Sequence, residues 1–323
     1  MNGKDLRIVF FGTPDFATAQ LDALVSEGYN VVAVVTTPDK QAGRGLKVTF
    51  SSVKHYALSK GIPLLQPANL KNEDFIADLA YFKADLQIVV AFRMLPKIVY
   101  GMPPLGTFNL HASLLPDYRG AAPINWAIIN GEKQSGLTTF LLNEKMDEGE
   151  IILQQVIDIK QEDTFGTLHD RMMQEGRSLV TKTADLIASG NYETKKQTTF
   201  MKEPKTAPKI YKNTTSINWN QTGEKIENFI KGLSPYPCAI LSFFDEIEGK
   251  EYNFKVFEAK FVRLFEKKNA GILSVVSNQK ISVSCLDGEV QLLDLQLSGK
   301  KRMRAEEFLR GWKSTGKSII VKN

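Results

Sequence analysis

Three features of the 323-residue sequence predict a doubly wound, Rossmann-like α/β domain followed by a small OB-like β-barrel. Apolar runs alternate with helical periods through the first half, a polar stretch with prolines follows, and the last third carries five short apolar runs between turn residues. The length fits two domains, expected over residues 1–189 and 213–323 with a linker over 190–212. With 43% hydrophobic and 24% charged residues the composition is globular, which excludes a disordered, fibrous or membrane-embedded chain. The two cysteines, Cys238 and Cys285, are far apart, so neither a disulfide framework nor a four-thiolate zinc site is available. The N-terminal apolar run is too short for a signal peptide or a spanning helix, and a cytoplasmic location without membrane attachment is expected.

The elements follow in order. Residues 6–11 (LRIVFF) form the nearly continuous apolar run of a strand buried on both faces. Gly12 supplies a turn, Thr13 can cap a helix, Pro14 suits its first position, and Ala17, Leu21, Leu24 and Val25 repeat with a helical period before Gly28 stops it. A strand is expected at 30–36, a helix near 51–60, a short strand around 63–66 and another apolar run at 86–92. Runs at 107–113 and 137–142 continue the sheet, and an amphipathic helix covers roughly 167–189. Such alternation means a parallel sheet with right-handed crossovers and a site at the C-terminal strand ends. Residues 190–212 show no sustained period and read as the linker. Beyond it, Ile226, Phe229 and Ile230 share a helix face ended by Gly232, and runs at 239–244, 253–261, 272–276, 281–285 and 290–295 suggest the barrel.

The net charge of +5 is unevenly spread. Residues 1–204 hold 21 basic and 23 acidic side chains, whereas residues 205–323 hold 20 and 13. The C-terminal part therefore either meets an anion, most often nucleic acid, or presents a solvated lysine-rich surface.

The turn after the first strand, GTPDF, has one glycine where a dinucleotide fold carries three, so nicotinamide binding is disfavoured. Neither a Walker-type loop nor an H-E-x-x-H helix occurs. The informative stretch is 105–123, LGTFNLHASLLPDYRGAAP. Asn109 and His111 stand two apart in a strand, so both side chains leave one face at its C-terminal end. An amide can donate to a developing oxyanion, and a histidine can donate or shuttle protons near neutral pH. The bland alternative is a histidine satisfied by a backbone carbonyl beside a structural asparagine. In the acidic loop after the 137–142 strand, Asp147 could accept from His111 and fix its tautomer, or be a solvated turn residue.

The run FNLHASLLPDYRGAAP resembles the signature of the folate-dependent formyltransferases, and MDEGE resembles their second motif. The resemblance extends over the chain through GTPDF, PDKQAGRG, the APKI linker with the following INW, and KKRMRAEEF. It implies 10-formyltetrahydrofolate as formyl donor, the methionine amino group on initiator methionyl-tRNA as acceptor, no metal, and a monomer. It also implies that Asn109, His111 and Asp147 are catalytic, that Ser113, Leu114, Leu115 and Pro116 contact the folate, and that Phe16 lies near the reacting groups. Arg44, in a glycine-flanked loop, matches an insertion that reaches the tRNA acceptor end. One stretch departs from the family pattern: Phe92-Arg93-Met94-Leu95 follows the fourth strand, beside the pterin pocket. Direct attack by a neutral amine passes through a tetrahedral intermediate and needs no covalent nucleophile. The alternatives are another folate-linked formyl enzyme, either a hydrolase or an amino-sugar transferase, and a nonenzymatic RNA-binding protein.

Overall fold

A computed structural model of the chain describes residues 2–42, 47–197, 203–245, 249–264, 269–276, 280–312 and 319–321. Two compact units are formed, one from residues 1–120, 135–158 and 169–206, the other from 121–134, 159–168 and 207–323.

The first unit begins with β1 (Ile8–Gly12), α1 (Asp15–Ser26), β2 (Val31–Val35), the short hairpin β3 (Lys40–Ala42) and β4 (Lys47–Thr49), α2 (Ser52–Ser59) and β5 (Leu64–Leu65). It continues with α3 (Glu73–Tyr81), β6 (Leu86–Val90), α4 (Lys97–Tyr100), β7 (Thr107–His111) and β8 (Arg119–Gly120). After α5 (Pro123–Ile129), which belongs to the second unit, come β9 (Gln134–Leu141), β10 (Ile151–Asp158), the long helix α6 (Phe165–Ser189) and β11 (Thr206–Ala207). The sheet order is β10-β9-β7-β6-β1-β2-β5. Strands β1, β2, β5, β6 and β7 run parallel, and β9 is antiparallel to β7. Every residue of β1 and β6 is buried, as a central strand with helices on both faces requires. The chain leaves β1 toward β2 and β5, then returns to β6 and β7 on the other side. That reversal between β1 and β6 opens a crevice at their C-terminal ends, where ligands of doubly wound sheets bind.

Local details differ from the sequence expectations. Pro14, not Thr13, is the N-cap residue of α1, and no side chain caps the helix. Thr13 stands one residue too early to reach the first free N–H groups, and its buried Oγ1 has no partner. Helix α3 was absent from the expected elements, yet Asn72 caps it by accepting from the Phe75 N–H at 3.0 Å, and Phe75 and Leu79 bury its inner face. Strand β10 was missed as well; it is a sheet-edge strand joined to β9 where the Leu141 N–H donates to the Glu150 carbonyl at 2.9 Å. The stretch expected to be a linker is stitched to the first unit at residues 195 and 205. Lys195 and Ile151 exchange two backbone hydrogen bonds of 2.9 Å, and Lys205 is bonded to both Asp117 and Tyr118.

In the second unit, α7 (Gly223–Leu233) packs against a curled antiparallel sheet. Its strands are β12 (Ala239–Asp245), β13 (Lys250–Arg263), β14 (Ile272–Val276), β15 (Lys280–Cys285) and β16 (Gly288–Leu297). They are followed by β17 (Met303–Arg304), α8 (Ala305–Gly311) and β18 (Ile319–Ile320). The path β12-β13-β16-β15-β14-β18 curls until Phe243 of β12 bridges Val321 after β18, so the two edges meet. Trp219, Phe243, Phe254, Ile230 and Leu292 fill the interior. Each such buried side chain contributes about 1.5–3 kcal/mol. Segment 121–134 joins this unit because α5 packs on α7: the Asn125 Nδ2 donates to the Gly232 carbonyl at 2.8 Å, and a Cβ on Gly232 would lie 2.5 Å from Ile129 Cγ1. Cys238 and Cys285 are buried free thiols, and burial pushes the Cys238 thiol up to about 11. Among the described residues no helix is long and apolar enough to cross a membrane.

Candidate active site

The crevice starts at Gly12, the last residue of β1. A Cβ there would sit 2.6 Å from Ala17 Cβ and 3.2 Å from the Val90 carbonyl, so only glycine lets the end of β1 close against β6. Phe16 follows on the first turn of α1, buried, with its ring 5.4 Å from the His169 ring. His169 stands on α6, more than 150 residues further along the chain, and the fold brings it against a candidate site residue. His55 lies on α2 with its ring 5.4 Å from Phe50.

Strand β6 is followed by Ala91, whose φ of +47° is a left-handed conformation that alanine seldom adopts. The turn it creates places Phe92 edge-on to Phe11, with ring centroids 5.8 Å apart. It also sends Arg93 to the loop after β5, where its guanidinium donates to the Ala68 carbonyl at 2.8 Å and to that of Pro67. Arg93 is thus an anchor, one cation holding two carbonyls of the loop after β5. Lys54 does similar work for the β3–β4 hairpin. Its ammonium lies 2.7 Å from Asp39, 2.9 Å from Gln66 Oε1 and 4.0 Å from the Phe50 ring centroid, gathering both ends of the hairpin. Hydrogen bonds from Lys54 and Gln66 hold the Asp39 carboxyl below the usual aspartate range. Arg44, between β3 and β4 in the chain, lies outside the described residues.

On β7, Asn109 is paired with Val89 of β6 and Phe140 of β9, and His111 with Thr138 of β9. The Asn109 side chain is half-buried and has no hydrogen-bond partner among the described residues. His111 is 7% exposed, and its Nε2 lies 2.9 Å from the Tyr118 carbonyl. A carbonyl can only accept, so Nε2 carries the hydrogen and Nδ1 holds the lone pair of the neutral ring. Tyr118 is turned toward the ring by a left-handed φ of +63°.

The expected bond between Asp147 and His111 is not formed, because each group has another partner. The Tyr118 carbonyl takes His111 Nε2, while Asp147 Oδ2 accepts from the Gly120 N–H at 2.9 Å. Asp147 Oδ1 has no partner among the described residues. His111 and Asp147 are nevertheless tied to one loop, residues 112–120, through Tyr118 and Gly120, two residues apart, while Asn109 stands two residues before His111 on β7. Within that loop Ser113 is fully buried, with its hydroxyl donating to the Asp117 carbonyl at 2.6 Å. Leu115 packs on Phe140 and Ile151, and Pro116 is also buried. Of the four residues expected to touch folate, only Leu114 keeps a half-buried side chain. The others shape the loop.

Sequence reasoning named Arg93 only as part of the departing stretch and missed its anchoring role, together with Lys54 and with the pair Arg119 and Gln197 that holds the Asp147 turn. The signal for Arg93 and Lys54 was weak, an isolated cation in each case, and Gln197 carried none. Among the described residues no three His, Cys, Asp or Glu side chains are grouped to hold a metal ion.

An unpartnered amide, an imidazole and a carboxylate around the strand ends of a doubly wound sheet define an α/β group-transfer protein. The chain belongs to the formyl transferase family: residues 6–183 match the formyl transferase model and residues 209–313 the formyl transferase C-terminal domain model. It is 50% identical over 317 residues to the methionyl-tRNA formyltransferase of Azobacteroides pseudotrichonymphae, covering 96% of this chain and 97% of that protein. It is 49% identical to the methionyl-tRNA formyltransferase of Bacteroides fragilis, covering 98% of each. Among solved structures, the N-formyltransferase of Helicobacter canadensis, complexed with folinic acid and dTDP-3-aminofucose, superposes with a TM-score of 0.61 at 20% identity. That match covers 89% of this chain and 98% of the other. HypX of Aquifex aeolicus in complex with tetrahydrofolic acid gives a TM-score of 0.61 at 18% identity, over 97% of this chain and 50% of that one.

Proposed function

We infer that this chain transfers the formyl group of 10-formyltetrahydrofolate to the amino group of methionine on initiator methionyl-tRNA, for translation initiation. The observation that carries the reading is the identity of about one residue in two with methionyl-tRNA formyltransferases, sustained through both units and from end to end. A chain that shared only the formyl chemistry would have no reason to match them across the basic C-terminal part.

The geometry supports the following chemistry. Folate enters the crevice between β1 and β6, whose rim is shaped by the Arg93 anchor and by loop 112–120. Attack by the methionine amine on the formyl carbon places negative charge on the formyl oxygen, and the free amide of Asn109 is the donor suited to it. Protonated His111 would keep its Nε2 hydrogen on the Tyr118 carbonyl and offer the Nδ1 hydrogen to the same oxygen or to the departing nitrogen. The amine must lose its proton, and Asp147 Oδ1, unpartnered while Oδ2 is held by Gly120, is the acceptor for it. Phe16 lines the β1 side, and Arg44 is assigned to the tRNA acceptor end by the sequence resemblance alone. The basic excess after residue 204 holds the tRNA phosphates. The protein acts as a cytoplasmic monomer.

The test is direct. Supplied with methionyl-tRNA and 10-formyltetrahydrofolate, the protein should yield formylmethionine after mild hydrolysis of the ester; no product with both substrates present refutes the reading.

A further inference from the structure

Gln197 lies in the polar stretch beyond α6, yet it is 5% exposed and its amide is fully engaged. Oε1 accepts from Arg119 Nε at 3.0 Å and from Arg119 Nη2 at 2.7 Å. Nε2 donates to the backbone carbonyls of Asp147 at 2.9 Å and Gly149 at 2.8 Å. The orientation of the amide is decided by chemistry, because Arg119 offers only hydrogens and carbonyls offer none. The oxygen must face the guanidinium and the nitrogen the turn.

The turn needs such a partner. Asp147 has a φ of +55°, and buried carbonyls left unpaired are costly. Gly149 is packed so closely on β9 that a Cβ would fall 1.6 Å from the Leu141 carbonyl oxygen. Glu148, between them, pairs with Arg119 Nη1 at 3.3 Å. The turn is thus held at its backbone by Gln197, at its middle by Arg119 and at its far end by β9, while Asp147 Oδ1 has no partner among the described residues.

We propose that Gln197 is a positioning residue for formyl transfer, holding the Asp147 and Gly149 carbonyls so that the Asp147 carboxylate stays against the Gly120 N–H with Oδ1 aimed at the incoming amine. The proposal rests on Asp147 being the proton acceptor. Gln197 itself touches no substrate, so its removal acts on turnover through the placement of Asp147.

Two variants separate its two ends. Gln197→Glu keeps an oxygen for Arg119 but replaces both hydrogens facing the turn, and Gln197→Met removes both functions at similar length. Each should lower kcat roughly tenfold to a hundredfold, the scale of a misplaced catalytic group, with KM for methionyl-tRNA and for 10-formyltetrahydrofolate within about twofold of wild type. Combined with Asp147→Asn, either should cost little more than Asp147→Asn alone, since a group that acts through Asp147 has nothing left to position. A wild-type kcat in a folded Gln197→Glu or Gln197→Met protein, a loss confined to KM or to melting temperature, or full additivity with Asp147→Asn overturns the proposal. If Gln197→Glu melts early, Gln197→Met carries the same comparison without a buried charge. Full turnover in Asp147→Asn itself would instead overturn the assignment of Asp147, a separate result.

Discussion

Replacing Asn109 by alanine removes a group that the folded protein does not use for its own stability. The amide is half-buried and unpartnered, while the Asn109 backbone stays paired with β6 and β9. The substitution strands no buried donor or acceptor and opens little space, so stability should change by about 1 kcal/mol or less. The loss falls on the reaction. Removing one preorganised oxyanion donor lowers kcat about 10² to 10³-fold, equivalent to about 2.7–4 kcal/mol of transition-state stabilisation. The assay is formyl transfer at saturating 10-formyltetrahydrofolate and methionyl-tRNA, read as formylmethionine after ester hydrolysis, with tRNA affinity and thermal melting followed in parallel. Affinity and melting should hold while kcat falls. Asn109→Asp keeps the shape but turns the donor into an acceptor, so it should be at least as slow. A kcat loss below tenfold in a variant that melts like wild type refutes the oxyanion role.

Asp147→Asn keeps an oxygen for the Gly120 N–H but loses the proton acceptor, so kcat should fall by about 10² to 10⁴ with both substrates still bound; turnover within threefold of wild type refutes it. Lys54→Met should raise the titration midpoint of Asp39 in carboxyl NMR spectra, because Lys54 and Gln66 hold it below the usual range. A depressed folded value means that this link is complete above the unfolded midpoint of about 3.9 and is lost as pH falls through the folded one, so an unshifted midpoint in the variant refutes the clamp. Affinity for tRNA should fall steeply with salt. Replacing the exposed Lys300 and Lys301 by glutamine should flatten the log–log slope by about one for each phosphate that is no longer neutralised, whereas an unchanged slope means those lysines are merely solvated. Arg302, already bidentate to Asp294, should contribute less to that slope.

The strands were legible wherever burial writes a composition. LRIVFF reads as a strand covered on both faces, and its last four residues open β1; of the C-terminal runs, those in β12 and β16 alternate one buried face with a wetter one, whereas β15 is buried along almost its whole length. Asn109 and His111 were legible together because a period of two places them on one face whatever the rest of the chain does. Helix α3 could have been read from Asn72 and the two acids after it, whereas β10, with exposed residues between its buried ones, sits at a sheet edge and has a weak pattern.

The features legible along the chain are therefore local: strand and helix periods, the turn glycines, the basic excess after residue 204, and the pairing of an amide with an imidazole on one strand face. Each depends on spacing along a few residues, which backbone geometry converts into direction. Hydrogen-bond partners were set only once distant segments had packed together. His111 found the Tyr118 carbonyl rather than Asp147 because a left-handed Tyr118 turned that carbonyl inward, and Asp147 was taken by a backbone N–H on the same loop. Gln197, fifty residues beyond Asp147 in a stretch with no period, became its support because the chain after α6 returns across the turn. Hydrogen-bond partners are chosen by distance and by which atoms remain unpaired once the backbone has folded, and neither quantity is carried by a pattern along the chain.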